Sequence, residues 1–265
     1  MCHEDKRRPF SQEEQRRLEV ARSVIEELKN ASSKFITAIA RTTDSNQGDF
    51  VGSGSFMVFG GRVFLVTAMH VAMDALHRAK WGAAFASGSN DPYQLITAPF
   101  CLDNDLDIAI APVTLDHSAS LPRQACSTSS IAEEAGQLSD CLFVHGYPGK
   151  RSKFLMLGPG IHSESLPWAT VTVESSWQDF DPNLHFAIGF DPTHARYVNG
   201  DKAHLPDPDG MSGSAVWNTR RCEIGTRWQA SDARIVGVIH RWDQEARCLI
   251  GTKIEHIHRI VDSSL

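Results

Sequence analysis

Near the C-terminus of this 265-residue chain, Gly210-Met211-Ser212-Gly213-Ser214 places a serine inside a glycine-rich turn. Glycines on both sides let the backbone bend tightly and bring bare N–H groups close to the hydroxyl. Acyl transfer needs that combination, a nucleophilic oxygen beside donors that hold a developing oxyanion. Composition alone gives a Gly-x-Ser-Gly in about one chain in ten of this length, so its meaning rests on a base and an acid elsewhere. Phe64-Leu65-Val66-Thr67-Ala68-Met69-His70-Val71 is a buried-type strand running into a histidine. Alone, such a histidine reads as a core residue. Leu106-Asp107-Ile108-Ala109-Ile110-Ala111 sets an acid at the head of an apolar strand, where an Asp often only caps a turn. Taken together they give the order His…Asp…Ser: a general base, a carboxylate that fixes its tautomer, and a nucleophile.

The elements that must position these residues are legible in outline. Ser11 with Glu14 makes a capping box, and Leu18, Ala21, Ile25 and Leu28 fall on one face, so a helix is expected from Ser11 to about Asn30. It either packs this stripe on the body of the protein or serves as a docking arm for a partner. After Asn30, short apolar runs broken by Gly, Pro, Asn and Asp indicate an all-β domain. Strands are expected at Phe35–Ala40, Gly54–Phe59, Val63–Thr67, Ile108–Val113, Cys141–Val144, Thr170–Glu174, His185–Ile188, Ser214–Trp217, Ile235–Ile239 and Cys248–Thr252. A Pro/Ser-rich link, Leu121 to Ser130, divides them into two sets. Ile254, Ile257 and Val261 at helical spacing predict a short final helix.

Composition narrows the function classes. With 42% hydrophobic and 22% charged residues, the chain is of ordinary globular make-up and long enough for a sizeable core. A net charge of −6, with no basic stripe interleaved with aromatics, argues against a nucleic-acid partner; the short run Lys6-Arg7-Arg8 reads as solvated. Met1 to Phe10 has no apolar signal core, and the apolar stretch Ser55 to Met69 is too short and too interrupted to span a membrane. The six cysteines form no C-x-x-C pair and fit reduced thiols, so a cytoplasmic setting is expected. Among twelve histidines, His256 and His258 diverge on a helix and no H-E-x-x-H or Cys/His cluster occurs, so no metal is expected.

On Thr67-Ala68-Met69-His70-Val71, Asp107-Ile108-Ala109-Ile110 and Gly210-Met211-Ser212-Gly213-Ser214, the chain resembles the trypsin-like peptidases of the chymotrypsin fold. Gly146-Tyr147-Pro148 after an apolar strand and Ile235-Val236-Gly237-Val238-Ile239-His240 are softer matches. The likeness covers roughly residues 33 to 263. It implies an all-β fold of two six-stranded-type antiparallel barrels packed together, with helices added at both ends. Residues 1–32 would form a helical arm, 33–125 a first barrel carrying His70 and Asp107, and 126–265 a second carrying Ser212 and the last helix. His70 would be the base and then acid, Asp107 its orienter, and Ser212 the nucleophile. Backbone N–H groups of Gly210 and Ser212 would form the oxyanion hole. Asp103 and Asp105 are rival orienters, and His145 and His240 rival bases. The substrate, a protein or peptide, would meet residues around Pro206 to Asp209 and the segment His240-Arg241-Trp242; no cofactor is implied. Arg241 or His240 pointing inward would favour an acidic side chain beside the scissile bond, whereas Arg241 pointing outward would leave only its backbone for the substrate.

The departures from that family matter equally. Val71 stands where secreted relatives carry a cysteine. Met211 stands where many have an Asp that pairs with a freshly cleaved N-terminus, and no Ile-Val-Gly-Gly-like activation site occurs. Activation by that ion pair is therefore not expected; the protein would be made active, or be gated by loop ordering or by a regulatory partner on the N-terminal helix. Two other readings stand beside the serine endopeptidase: a protease-like scaffold that binds peptides without cutting them, and an α/β-hydrolase esterase. The last expects the order Ser…Asp…His after a strand–turn–helix elbow. Ala215-Val216-Trp217 after the serine looks like a strand instead, and position 214 is Ser where that elbow has Gly.

Overall fold

The computed structural model describes residues 11–42, 48–77, 83–86, 94–96, 100–114, 124–138, 141–154, 161–192, 195 and 205–264. Cys2, the run Lys6-Arg7-Arg8 and the start of the link at Leu121 lie outside them. Helix α1 (Gln12–Ser32) begins at its capping box: Ser11 Oγ accepts the Glu14 N–H at 3.2 Å, and Glu14 Oε2 accepts the Ser11 N–H at 2.8 Å. Its buried stripe is Val24, Leu28 and Ser32, with Leu18, Ala21 and Ile25 half-buried.

Strands β1 (Ile36–Thr42), β2 (Gly48–Phe59), β3 (Arg62–Ala68), β4 (Ala83–Ala86), β5 (Gln94–Ile96), β6 (Cys101–Asp103) and β7 (Ile108–Pro112) form one antiparallel sheet. Its order is β5-β4-β1-β2-β3-β7-β6, so it holds seven strands rather than six. The short strands β4 to β6 carry too few residues for a readable alternation. A second antiparallel sheet takes β8 (Leu142–Gly146), skips the hairpin of β9 (Ser152–Phe154) and β10 (Ile161–Ser163), and continues with β11 (Leu166–Thr170), β12 (His185–Gly189), β13 (Ala215–Asn218), β14 (Arg234–Asp243) and β15 (Cys248–Lys253). The order there is β11-β8-β13-β14-β15-β12. The strand expected at Thr170–Glu174 lies earlier, at β11. Beyond it the chain crosses to β12, where Val173 N–H donates to Ala187 O (3.0 Å) and Gly189 N–H to Val171 O (2.9 Å), closing the second sheet on itself.

Alternate residues of the same strand go to different cores, which explains why the strands read as continuous apolar runs. Phe64 and Val66 of β3 enter a central cluster with Phe143, Trp217, Ile235 and Val238 of the second sheet. Leu65 faces the opposite way, toward Ile39, Phe56 and Ala111. Leu142, Val144, Val216 and Ile239 fill the interior of the second sheet with Met211. Helix α1 lies against β8 and β11, sinking Val24 and Leu28 into the central cluster; burying a leucine side chain contributes about 1.5–3 kcal/mol. The final helix α4, whose number follows a short α3 (Arg221–Ile224), spans Ile254–Ser264 and adds Ile254, Ile257, Ile260 and Val261. No helix among the described residues is long and apolar enough to cross a membrane.

Candidate active site

Strand β3 ends at Ala68, and the chain turns at once into helix α2 (Met69–His77), so His70 sits in the first helical turn rather than at a strand end. The N–H groups at a helix start lack intrahelical acceptors. Asp107 supplies two: its carbonyl accepts the Met69 N–H and its Oδ1 the His70 N–H, each at 3.0 Å. The same carboxylate takes His70 Nδ1 on Oδ2 at 2.8 Å. One acid thus caps the helix and orients the ring, leaving Nε2 as the basic nitrogen. Asp107 adopts a left-handed φ of 51°, a conformation Asp tolerates better than most residues. The rival acids are placed otherwise. Asp103 Oδ1 closes the turn by accepting the Leu106 N–H at 3.0 Å, and Asp105 is exposed.

Burial alone would raise the Asp107 pKa. The close approach of His240 and the bond and charge of His70 outweigh it, holding the carboxyl well below the usual carboxylate range. His240 Nδ1 is 3.7 Å from Asp107 Oδ2, and its ring is wedged against Trp177 and His185. His145, the other rival base, is fully buried on β8 and bonds Ser32 Oγ through Nδ1 at 2.6 Å.

Residues 209–212 form a turn in which every carbonyl is held. Asp209 O accepts from Gly149 N–H (2.7 Å), Gly210 O from Ser53 Oγ (2.7 Å), Met211 O from Ser214 N–H (3.0 Å) and Ser212 O from Ser53 N–H (2.9 Å). Met211 N–H donates to Pro208 O (2.8 Å) and Gly213 N–H to Ile239 O (2.7 Å). Within this turn the N–H groups of Asp209, Gly210 and Ser212 have no acceptor among the described residues, while that of Met211 has one. Both glycines flanking the serine have φ of 92°, and neither site admits a Cβ: at Gly213 it would lie 1.8 Å from Ser53 O, at Gly210 2.3 Å from the Phe50 ring. Met211, fully buried, packs into the second sheet's apolar interior. Among the described residues, Ser212 Oγ hydrogen-bonds to His240 O, at 3.4 Å, rather than to the His70 ring.

His70, Asp107, Gly210 and Ser212 line one cleft of about 420 Å³ with Val51, Pro208, Asp209, Ile239, His240, Arg241, Trp242 and Leu249. Of the residues expected to meet substrate, Asp209, Arg241 and Trp242 are there. Pro206 is not; Pro208, two residues nearer the serine, takes that wall. His240 reaches the cleft but its side chain is only 2% exposed, being turned against Asp107 and Trp177. Arg241 is exposed, with its guanidinium 4.6 Å from the Trp177 ring centroid, a cation–π stack. Leu249 was missed by the sequence reading, although counting back across the β14–β15 hairpin pairs it with Trp242.

No protein-family model and no curated protein sequence matches the chain. Among solved structures it is similar to one from Sesbania mosaic virus, described for aromatic interactions that drive coupled folding and binding of the intrinsically disordered VPg protein. That match has 14% identity and a TM-score of 0.50, over 86% of this chain and 90% of that one. The serine protease domain of the Sesbania mosaic virus polyprotein matches at 13% identity, TM-score 0.48, over 85% and 91%. The Vibrio cholerae VesB protease matches at 17% identity, TM-score 0.49, over 89% of this chain and 65% of that one. At these identities the likeness concerns the fold alone, an all-β arrangement of two antiparallel sheets.

Proposed function

We propose that the chain is a serine endopeptidase that cleaves peptide bonds through an acyl-enzyme. His70 Nε2 takes the Ser212 proton as Oγ attacks the scissile carbonyl carbon. The oxygen, now negative, is received by the N–H groups of Gly210 and Ser212. Collapse of the tetrahedral intermediate breaks the C–N bond, and His70 delivers its proton to the leaving amine. Water then repeats the sequence on the ester, releasing the acid and restoring Ser212. The observation that carries this reading is the pairing of His70 with Asp107 in one cleft with a serine turn whose spare donors include the Gly210 and Ser212 N–H groups.

Activation without a cleaved N-terminus belongs to the same proposal, since a buried Met211 offers an incoming ammonium group nothing to pair with. A reducing, cytoplasmic setting belongs to the same proposal, supported by six scattered cysteines that form no C-x-x-C pair. A fluorophosphonate probe tests the reading: wild-type protein should be labelled, and Ser212→Ala and His70→Ala should not. Absence of labelling in the wild type across pH 6–9, the range about the usual His pKa and above it, would overturn it.

The position of Ser212 Oγ on His240 O favours one other reading, a protease-like scaffold that holds peptides uncut. Equal peptide affinity in wild type and Ser212→Ala, with no product from either, would select it.

A further inference from the structure

We infer that Ser53 and Gly149 are positioning residues that hold the oxyanion turn in its working conformation, the task an activating ion pair would otherwise serve. This rests on the peptidase reading of the site. Gly210 sits at φ 92° with no side chain to restrict it, so nothing intrinsic keeps the turn in that shape. Its two flanking peptides are instead gripped from outside. Gly149 N–H holds the carbonyl before it, and Ser53 Oγ the carbonyl after it, each at 2.7 Å. No peptide among the described residues is cis, and in a trans peptide the N–H points opposite to the carbonyl. Pinning Asp209 O against Gly149 therefore aims the Gly210 N–H to the other side.

Ser53 serves as the hub. It is fully buried on β2 of the first sheet, while the turn belongs to the second. Its N–H holds Ser212 O at 2.9 Å, and its carbonyl is tied back to β3 by Thr67 Oγ1 at 2.7 Å. Its hydroxyl donates its single proton to Gly210 O and accepts the Tyr147 N–H at 2.8 Å. Tyr147 and Gly149 flank Pro148, whose ring fixes φ at −67°, so the Gly149 clamp and the N–H that orients the Ser53 hydroxyl issue from one stiff segment at the end of β8. Lys150 pairs with Asp207 alongside. Met211, where an activating carboxylate would stand, makes no polar side-chain contact and leaves this role to the clamps.

The test is the kinetics of fluorophosphonate inactivation, read as kinact and KI, in wild type and Ser53→Ala, with a thermal melt of each. Loss of an oxyanion donor itself costs about 100-fold or more in rate, so loosening its support should lower kinact about tenfold while KI stays within about twofold. A merely structural serine would change the melting temperature and leave kinact alone. Should Ser53→Ala not fold, Gly149→Pro against Gly149→Ala decides. Both add a Cβ, which at this site has 3.4 Å to its nearest neighbours, but only proline lacks the N–H. Lower kinact in the proline variant alone supports the clamp. A labelled wild type with unchanged kinact in these variants overturns the clamp and spares the peptidase reading. An unlabelled wild type overturns both.

Discussion

His240 Nδ1 stands 3.7 Å from the Asp107 oxygen that accepts the His70 Nδ1–H, so one carboxylate oxygen is approached by two histidine rings. Neither nitrogen of the His240 ring has a hydrogen-bond partner among the described residues within normal reach. A small closing motion would convert its approach to Asp107 into a bond. His240→Gln is expected to lower kinact about tenfold, roughly the worth of one such bond, with KI little changed. His185→Gln, which alters the neighbouring ring without touching Asp107, should leave kinact within about twofold. Equal losses in both variants would show that the cluster acts only through packing.

Asp107→Asn separates the two tasks of this residue. Asn tolerates the left-handed backbone and can still accept the His70 N–H, so helix α2 keeps its cap and the melting temperature should move little. Its amide donor cannot accept from Nδ1–H and forces the wrong tautomer on His70. Activity is expected to fall by about 10³–10⁴, measured as kinact on protein whose melt matches the wild type.

Acid should weaken the fold through His145. Burial, with the Lys29 charge behind it, pushes its pKa from the ordinary 6.5 down to about 3. Between those values the unfolded chain binds a proton that the folded chain refuses, so stability is complete above pH 6.5 and falls as the pH drops toward 3. Urea unfolding across that window should show a slope that His145→Gln reduces. An unchanged slope would remove His145 as its cause.

Met211→Asp should destabilise the protein without creating a dormant precursor. The position is fully buried among apolar residues of the second sheet. An unpaired carboxylate there is expected to cost about 3–5 kcal/mol, visible as a lower urea midpoint. Removing residues 1–32 should likewise lower stability, because Val24 and Leu28 leave the central cluster, and should unmask no activity. A rise in labelling after that truncation would contradict activation without N-terminal cleavage.

The strands and the end helices could be read from pattern because their residues are buried and periodic; β3 and β7 carry hardly a polar residue. The His, Asp and Ser candidates were legible because each closes or opens such a run. His240 was expected on the substrate wall and does line the cleft, but its approach to Asp107 was not legible, because a bulge interrupts the strand there. Ile239 pairs with Gly251 and Arg241 with Ile250, leaving His240 between them, so simple alternation fails there. Ser53 and Gly149 gave no local signal at all. Their importance arises only where β2 and the end of β8 meet residues about 60 to 160 positions away, a range over which sequence pattern carries no contact information.

The bonds from Ser53 to Ser212 and Gly210, and from Thr252 Oγ1 to Leu106 O at 2.8 Å, cross from one sheet to the other. On the proposed reading, the base His70 and acid Asp107 stand on one bank of this seam and the nucleophile Ser212 on the other. Neither bank carries a reactive centre of its own, so reactivity becomes a gauge of how tightly the banks are docked. Mild denaturant that parts them should extinguish probe labelling while far-ultraviolet circular dichroism still reports both sheets. Dilution should bring the signal back at the speed of docking rather than of strand formation.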